Sequence, residues 1–101
     1  MLIITGTYKI KPGKREEFLK EICDRGIYDK FLKEDGNISY DYYFPYGSED
    51  DIFFFERWED RDAWEAHKAA PHTVELQEIK NEYLAGFTPG IIGEIDGGQR
   101  S

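Results

Sequence analysis

A chain of 101 residues makes one domain, burying about two thirds of the surface its unfolded form exposes, and leaves no room for a second. Thirteen Lys and Arg against 21 Asp and Glu give a net charge of −8, a field that repels phosphate backbones and anionic lipid and argues against nucleic-acid or membrane partners. No apolar run approaches the ~20 residues of a membrane helix. Residues Met1 to Thr5 carry no signal-peptide pattern, and the single Cys23 can neither close an intramolecular disulfide nor complete a thiolate zinc site, so a cytoplasmic protein is expected.

Residues 2–10 are rich in β-branched side chains and stop at the turn signal Lys11-Pro12-Gly13, which predicts a first strand. From Lys14 onward, Phe18, Leu19, Ile22, Cys23, Ile27, Phe31 and Leu32 follow the one-sided spacing of an amphipathic helix, with Gly26 placed to split it and Gly36 to end it in a left-handed turn. On this spacing Cys23 is a small buried residue of the apolar side. A second strand is predicted over 38–46, with Ile38, Tyr40, Tyr42, Phe44 and Tyr46 on one parity, and a third over 52–58, with aromatics on both. The polar loop 47–51 makes the two a hairpin. Asp60 is the expected N-cap of a short helix 61–69, and Thr73 that of a second helix with Leu76, Ile79 and Tyr83 as its buried stripe and Gly86 as its stop. Residues 87–95 form the last strand, interrupted by Pro89 and Gly90, and 97–101 a frayed tail.

Strand, helix, strand, strand, helices, strand is the split βαβ order of the ferredoxin-like α+β fold, with helices on one face of a four-stranded antiparallel sheet. The other face carries Ile3, Phe53, Phe55 and Ile92, and no chain is left to cover it. Burial of these side chains at ~25 cal/mol per Å2 favours a second copy, giving a homodimer in which two sheets close into an α/β barrel.

The densest pattern is Phe54-Phe55-Glu56-Arg57-Trp58, then Ala63, then His67-Lys68-Ala69-Ala70-Pro71-His72. With Lys11-Pro12-Gly13-Lys14, Glu16-Glu17-Phe18 and the Gly36 turn before Ser39-Tyr40-Asp41, it resembles the antibiotic biosynthesis monooxygenase family over nearly the whole chain. The resemblance implies a single domain over 1–96, a small dimeric α/β barrel, and a cofactor-independent oxygenase that converts a planar phenol or hydroquinone to a quinone with O2.

His67, three residues after Trp64 on the same helix face, is a candidate general base; the plainer role is a helix-end cap or a hydrogen bond to a strand carbonyl. Glu56 shares the aromatic parity of Phe54 and Trp58, where a carboxylate has a raised pKa unless paired, so it is a second candidate base, an orienting partner for His67, or a buried ion pair. Tyr40, Tyr42, Phe54, Trp58, Trp64 and His72 are candidate substrate contacts. No metal is expected, because the two histidines are five residues apart with Pro71 between them and no HExxH motif exists. Neither a nucleophile elbow nor a phosphate or dinucleotide loop is present, so no cofactor is called for. An isomerase or degradative enzyme of the same fold and a non-catalytic ligand-binding dimer remain as alternatives. Haem degradation ranks last, since it needs an Asn on the first strand where this chain has Thr5, Gly6 and Thr7.

Overall fold

A computed structural model describes residues 1–95 of the chain. The elements run β1 (Leu2–Ile10), α1 (Arg15–Asp24), α2 (Ile27–Leu32), β2 (Asn37–Tyr43), β3 (Asp51–Trp58), α3 (Arg61–Ala69), α4 (Pro71–Tyr83) and β4 (Leu84–Glu94). They form one four-stranded sheet in the order β2-β3-β1-β4, every neighbouring pair antiparallel. This is the ferredoxin-like α+β fold that the element order predicts. The proposed tail at 97–101 lies outside the described residues. Among the described residues, no helix is long and apolar enough to cross a membrane.

The core follows from strand alternation. Leu2, Ile4, Tyr8 and Ile10 of β1 and Ile52, Phe54 and Trp58 of β3 point to the helix side, where Phe18, Ile22, Ile27, Phe31, Leu76, Ile79 and Tyr83 meet them. Asp60 caps α3 as expected, its Oδ1 accepting the Ala63 N–H at 2.9 Å. Gly36 ends the α2 region at φ 83°, and its carbonyl accepts the Glu59 N–H at 2.8 Å. A side chain there would sit 2.5 Å from the Ala63 Cβ, so glycine is what lets the α2–β2 turn lie against α3.

Six local expectations are corrected. Cys23 is exposed, because it lies one residue, about 100° of helix, beyond the Phe18–Ile22 stripe. β2 ends at Tyr43 rather than 46, ahead of Pro45, which has no N–H for the ladder; Phe44 is left half exposed beneath the Arg15 guanidinium, and Tyr46 is fully exposed. At the other end of β2 the pairing with β3 shifts between Asn37 and Ser39, which puts Ile38 out of the aromatic parity and into solvent. Thr73 does not cap α4: Pro71 takes the first turn, where its missing N–H costs nothing, and Ala70 is the cap residue. Gly86 does not stop that helix, which ends at Tyr83 and passes directly into β4, where Gly86 pairs with Lys9. Finally, Ile92 does not join Ile3, Phe53 and Phe55, because a register shift in β4 pairs it with Ile4 and so places it on the helix side of the sheet.

Candidate active site

A cavity of about 460 Å3 opens between the sheet and α3 and α4. Tyr8, Tyr40, Phe54 and Glu56 form its floor, Trp64 and His67 come from α3, Thr73, Leu76 and Lys80 from α4, and Phe87 from β4. The Phe54 and Phe87 rings stack at 6.1 Å over Gly6, where any Cβ would meet the Phe54 ring at 2.6 Å. A side chain at that position would require the Phe54 and Phe87 rings to shift.

His67 is buried and held on several sides. Its Nδ1 lies 2.8 Å from Glu34 Oε2 and 3.4 Å from Thr73 Oγ1, and its ring lies 4.7 Å from Trp58 and 5.0 Å from Phe31. The same Glu34 oxygen takes His72 Nε2 at 2.8 Å. A carboxylate only accepts, so each ring presents an N–H to it, and the neutral His67 imidazole then carries its lone pair on Nε2. That nitrogen lies 3.8 Å from Glu56 Oε1, and both residues line the cavity. Burial pulls the His67 pKa below its usual value, against the hydrogen bond and charge of Glu34, which favours the neutral ring.

Glu56 is buried and accepts a hydrogen bond from Trp58 Nε1 at 3.0 Å. Burial raises its pKa to about 7, with Trp58, Tyr40 and the charge of Lys80 opposing the rise. A neutral imidazole and a carboxyl that titrates near neutrality thus stand side by side in an aromatic cavity, which is the equipment for moving a proton.

Among the candidates taken from the sequence, His67, Glu56, Tyr40, Phe54 and Trp64 converge on this cavity. Trp58, Tyr42 and His72 do not line it. Trp58 is fully buried between Glu56 and His67, His72 shares Glu34 with His67, and Tyr42 packs on Tyr28 at 5.8 Å with its hydroxyl buried and without a partner among the described residues. The sequence reading missed Glu34, Tyr8, Lys80 and Phe87. Tyr8 and Phe87 were legible in principle from strand parity. Glu34 was not, since it stands 33 residues from His67 at a helix end and is brought there by the Gly36 turn.

The spacing argument against a shared histidine ligand also fails in three dimensions. The break at Ala70 turns α4 back so that Glu34, His67 and His72 place their donor atoms within 4.8 Å of one another. Among the described residues these three could hold a metal ion; as they stand, the carboxylate is occupied by the two imidazole N–H groups.

The family model for antibiotic biosynthesis monooxygenases matches residues 1–79. The chain belongs to that family. It is 33% identical over 72 residues to the protein named "Putative monooxygenase YcnE" of Bacillus subtilis, covering 71% of this chain and 74% of the relative. It is 31% identical over 84 residues to the uncharacterized protein sll1783 of Synechocystis, covering 83% of this chain and 56% of that one. Among solved structures, an antibiotic biosynthesis monooxygenase superposes with a TM-score of 0.80 at 24% identity, covering 94% of this chain and 98% of the other. A conserved protein of Methanosarcina mazei Go1 superposes at 0.76 with 23% identity, covering 88% and 89%. At these identities the superpositions speak for the fold, and the family membership supports a monooxygenase.

Proposed function

We propose that this family member is a cofactor-independent monooxygenase that oxidises a planar phenol or hydroquinone to a quinone with O2. The observation that carries the reading is the Glu34–His67 pair at an aromatic cavity, with Nε2 of His67 3.8 Å from Glu56 and both residues lining that cavity. Glu34 fixes the tautomer, so the imidazole is presented as a base rather than as a donor. His67 takes the phenolic proton. The phenolate then passes one electron to O2, and the resulting radical pair combines at a ring carbon as a peroxide. The O–O bond breaks, the proximal oxygen stays as the quinone carbonyl, and the distal oxygen leaves as water with the phenolic and ring C–H protons, relayed through His67 and Glu56. Tyr40, Phe54, Trp64 and Phe87 stack on the ring and keep water from the peroxide.

The domain boundary at 96, a reducing cytoplasmic setting and a homodimer belong to the same proposal. The dimer is supported by the outer sheet face, where Phe53 and Phe55 lie 6.5 Å apart with Tyr43 beside Phe53, and no helix or strand among the described residues packs over them. One observation favours a second reading: His67 and Glu56, two proton-handling groups 3.8 Å apart, would equally serve an isomerase that uses no oxygen. Oxygen uptake separates the two. Protein stripped of metal and flavin is expected to consume O2 with a polycyclic phenol from a broad panel and to yield the quinone with no H2O2. Proton exchange or isomerisation without O2 uptake would select the isomerase instead.

A further inference from the structure

Lys80 is the one lysine of the chain that is not exposed. It sits on α4 four residues after Leu76, and both side chains line the cavity. The remaining lysines stand in water, several of them in surface ion pairs such as Lys9–Asp51 and Lys20–Asp24. Lys80 pairs with no carboxylate among the described residues; Nζ lies 5.3 Å from the centre of the Tyr8 ring, and Glu56, whose charge it feels, stands off without contact. Burial accordingly draws its pKa down from the usual lysine value, with Glu56 opposing. A partly desolvated ammonium that makes no direct ion pair among the described residues is a costly arrangement for a fold to keep. It is all the more specific in a chain of net charge −8, whose long-range field turns anions away.

We propose that Lys80 is the anion-binding group of this cavity, and that the ligand is a planar aromatic bearing an ionised oxygen, carboxylate or phenolate, held against the ammonium while its reacting hydroxyl faces His67 and Glu56. The proposal rests on the cavity being the ligand site of the reaction above. It adds the charge of the substrate and the orientation in which it binds. For the monooxygenase chemistry the consequence is direct: a cation beside the ring stabilises the phenolate that gives up the electron, and its distance from His67 sets which hydroxyl is deprotonated. The second lysine at the cavity, Lys68, is exposed and already engaged, 3.2 Å from Glu65 and 4.0 Å over the Trp64 ring, so it is not the site.

The test uses two unreactive probes of one shape, 2-naphthoate and 2-naphthamide, titrated into the whole protein by calorimetry and by quenching of its tryptophan fluorescence. The charge-assisted contact predicts that 2-naphthoate binds about tenfold to a hundredfold more tightly than the amide. Lys80→Met should erase the preference while still binding the amide, which shows the cavity intact. Lys80→Arg should keep most of the preference, and Lys68→Met all of it. Equal binding of the two probes to the unaltered protein would overturn the assignment of Lys80 and leave the oxygenase reading standing, and so would a preference that survives Lys80→Met. Failure to bind either probe would overturn both, because the cavity would then not be an aromatic site.

Discussion

Removing the Glu34 carboxylate tests how the site is held together. In the variant Glu34→Ala, the N–H groups of His67 and His72 both lose their acceptor, and the side chains of those rings are only 5% and 14% exposed. Leaving a buried donor unsatisfied costs about 1–3 kcal/mol, so the pair should lose about 2–5 kcal/mol, the smaller share from the wetter His72. At roughly 4–8 °C per kcal/mol for a domain of this size, Tm should fall by about 8–40 °C. Glu34→Gln keeps an oxygen where Oε2 stands and so keeps both hydrogen bonds in neutral form; its loss should be no more than about half as large. Thermal melts monitored by circular dichroism give the stabilities, and 15N-resolved imidazole spectra report the tautomer. His67 should carry its proton on Nδ1 in the unaltered protein and lose that preference in Glu34→Ala. A melting point unchanged within about 2 °C, together with an unchanged tautomer, would refute the idea that Glu34 sets the base.

Three further outcomes follow from other parts of the molecule. A Glu56 carboxyl whose pKa rises on folding from 4.5 to about 7 contributes stability that is full below about 4.5 and lost as pH climbs to about 7, worth about 3 kcal/mol at most; denaturant titrations across pH 4–8 should therefore show Glu56→Gln gaining on the unaltered protein as pH rises, and parallel curves would contradict the assignment. Phe55→Glu places a charge on the outer sheet face and should convert a dimer to monomer at micromolar concentration in light scattering, whereas a monomeric unaltered protein would count against the dimer. Gly36→Ala forces a side chain into φ 83° and against Ala63, so it should cost about 1–3 kcal/mol in the same titrations, and a neutral result would mean the turn can relax away from α3.

Much of this arrangement is legible in the sequence because it depends on local periodicity. Period-two alternation in 2–10 and 52–58 and helical spacing at Phe18–Ile22 and Leu76–Ile79–Tyr83 are properties of neighbouring residues, and the sheet and helices form where they predict. Glu56, His67, Tyr40, Phe54 and Trp64 come together for the same reason, each standing on the inward face of its element. What escapes is set by chain reversals. Ile38 and Ile92 change sides at register shifts, which depend on the partner strand. Glu34 reaches His67 only because Gly36 lets the α2–β2 turn close on α3, and His72 joins them because Ala70 breaks the helix that would otherwise carry it to another face. Lys80 reads as one more charged residue on a surface helix until the cavity beside it is seen.

The central claim, that His67 is the base that starts an oxygen-consuming reaction, is tested most directly by O2 uptake of the metal-free, flavin-free protein with a polycyclic phenol, comparing the unaltered chain with His67→Ala. The account predicts quinone formation matched one to one with O2 consumed, and a rate reduced about 100-fold to 10,000-fold in the variant. Equal rates for the two proteins would remove His67 from the mechanism and contradict the account.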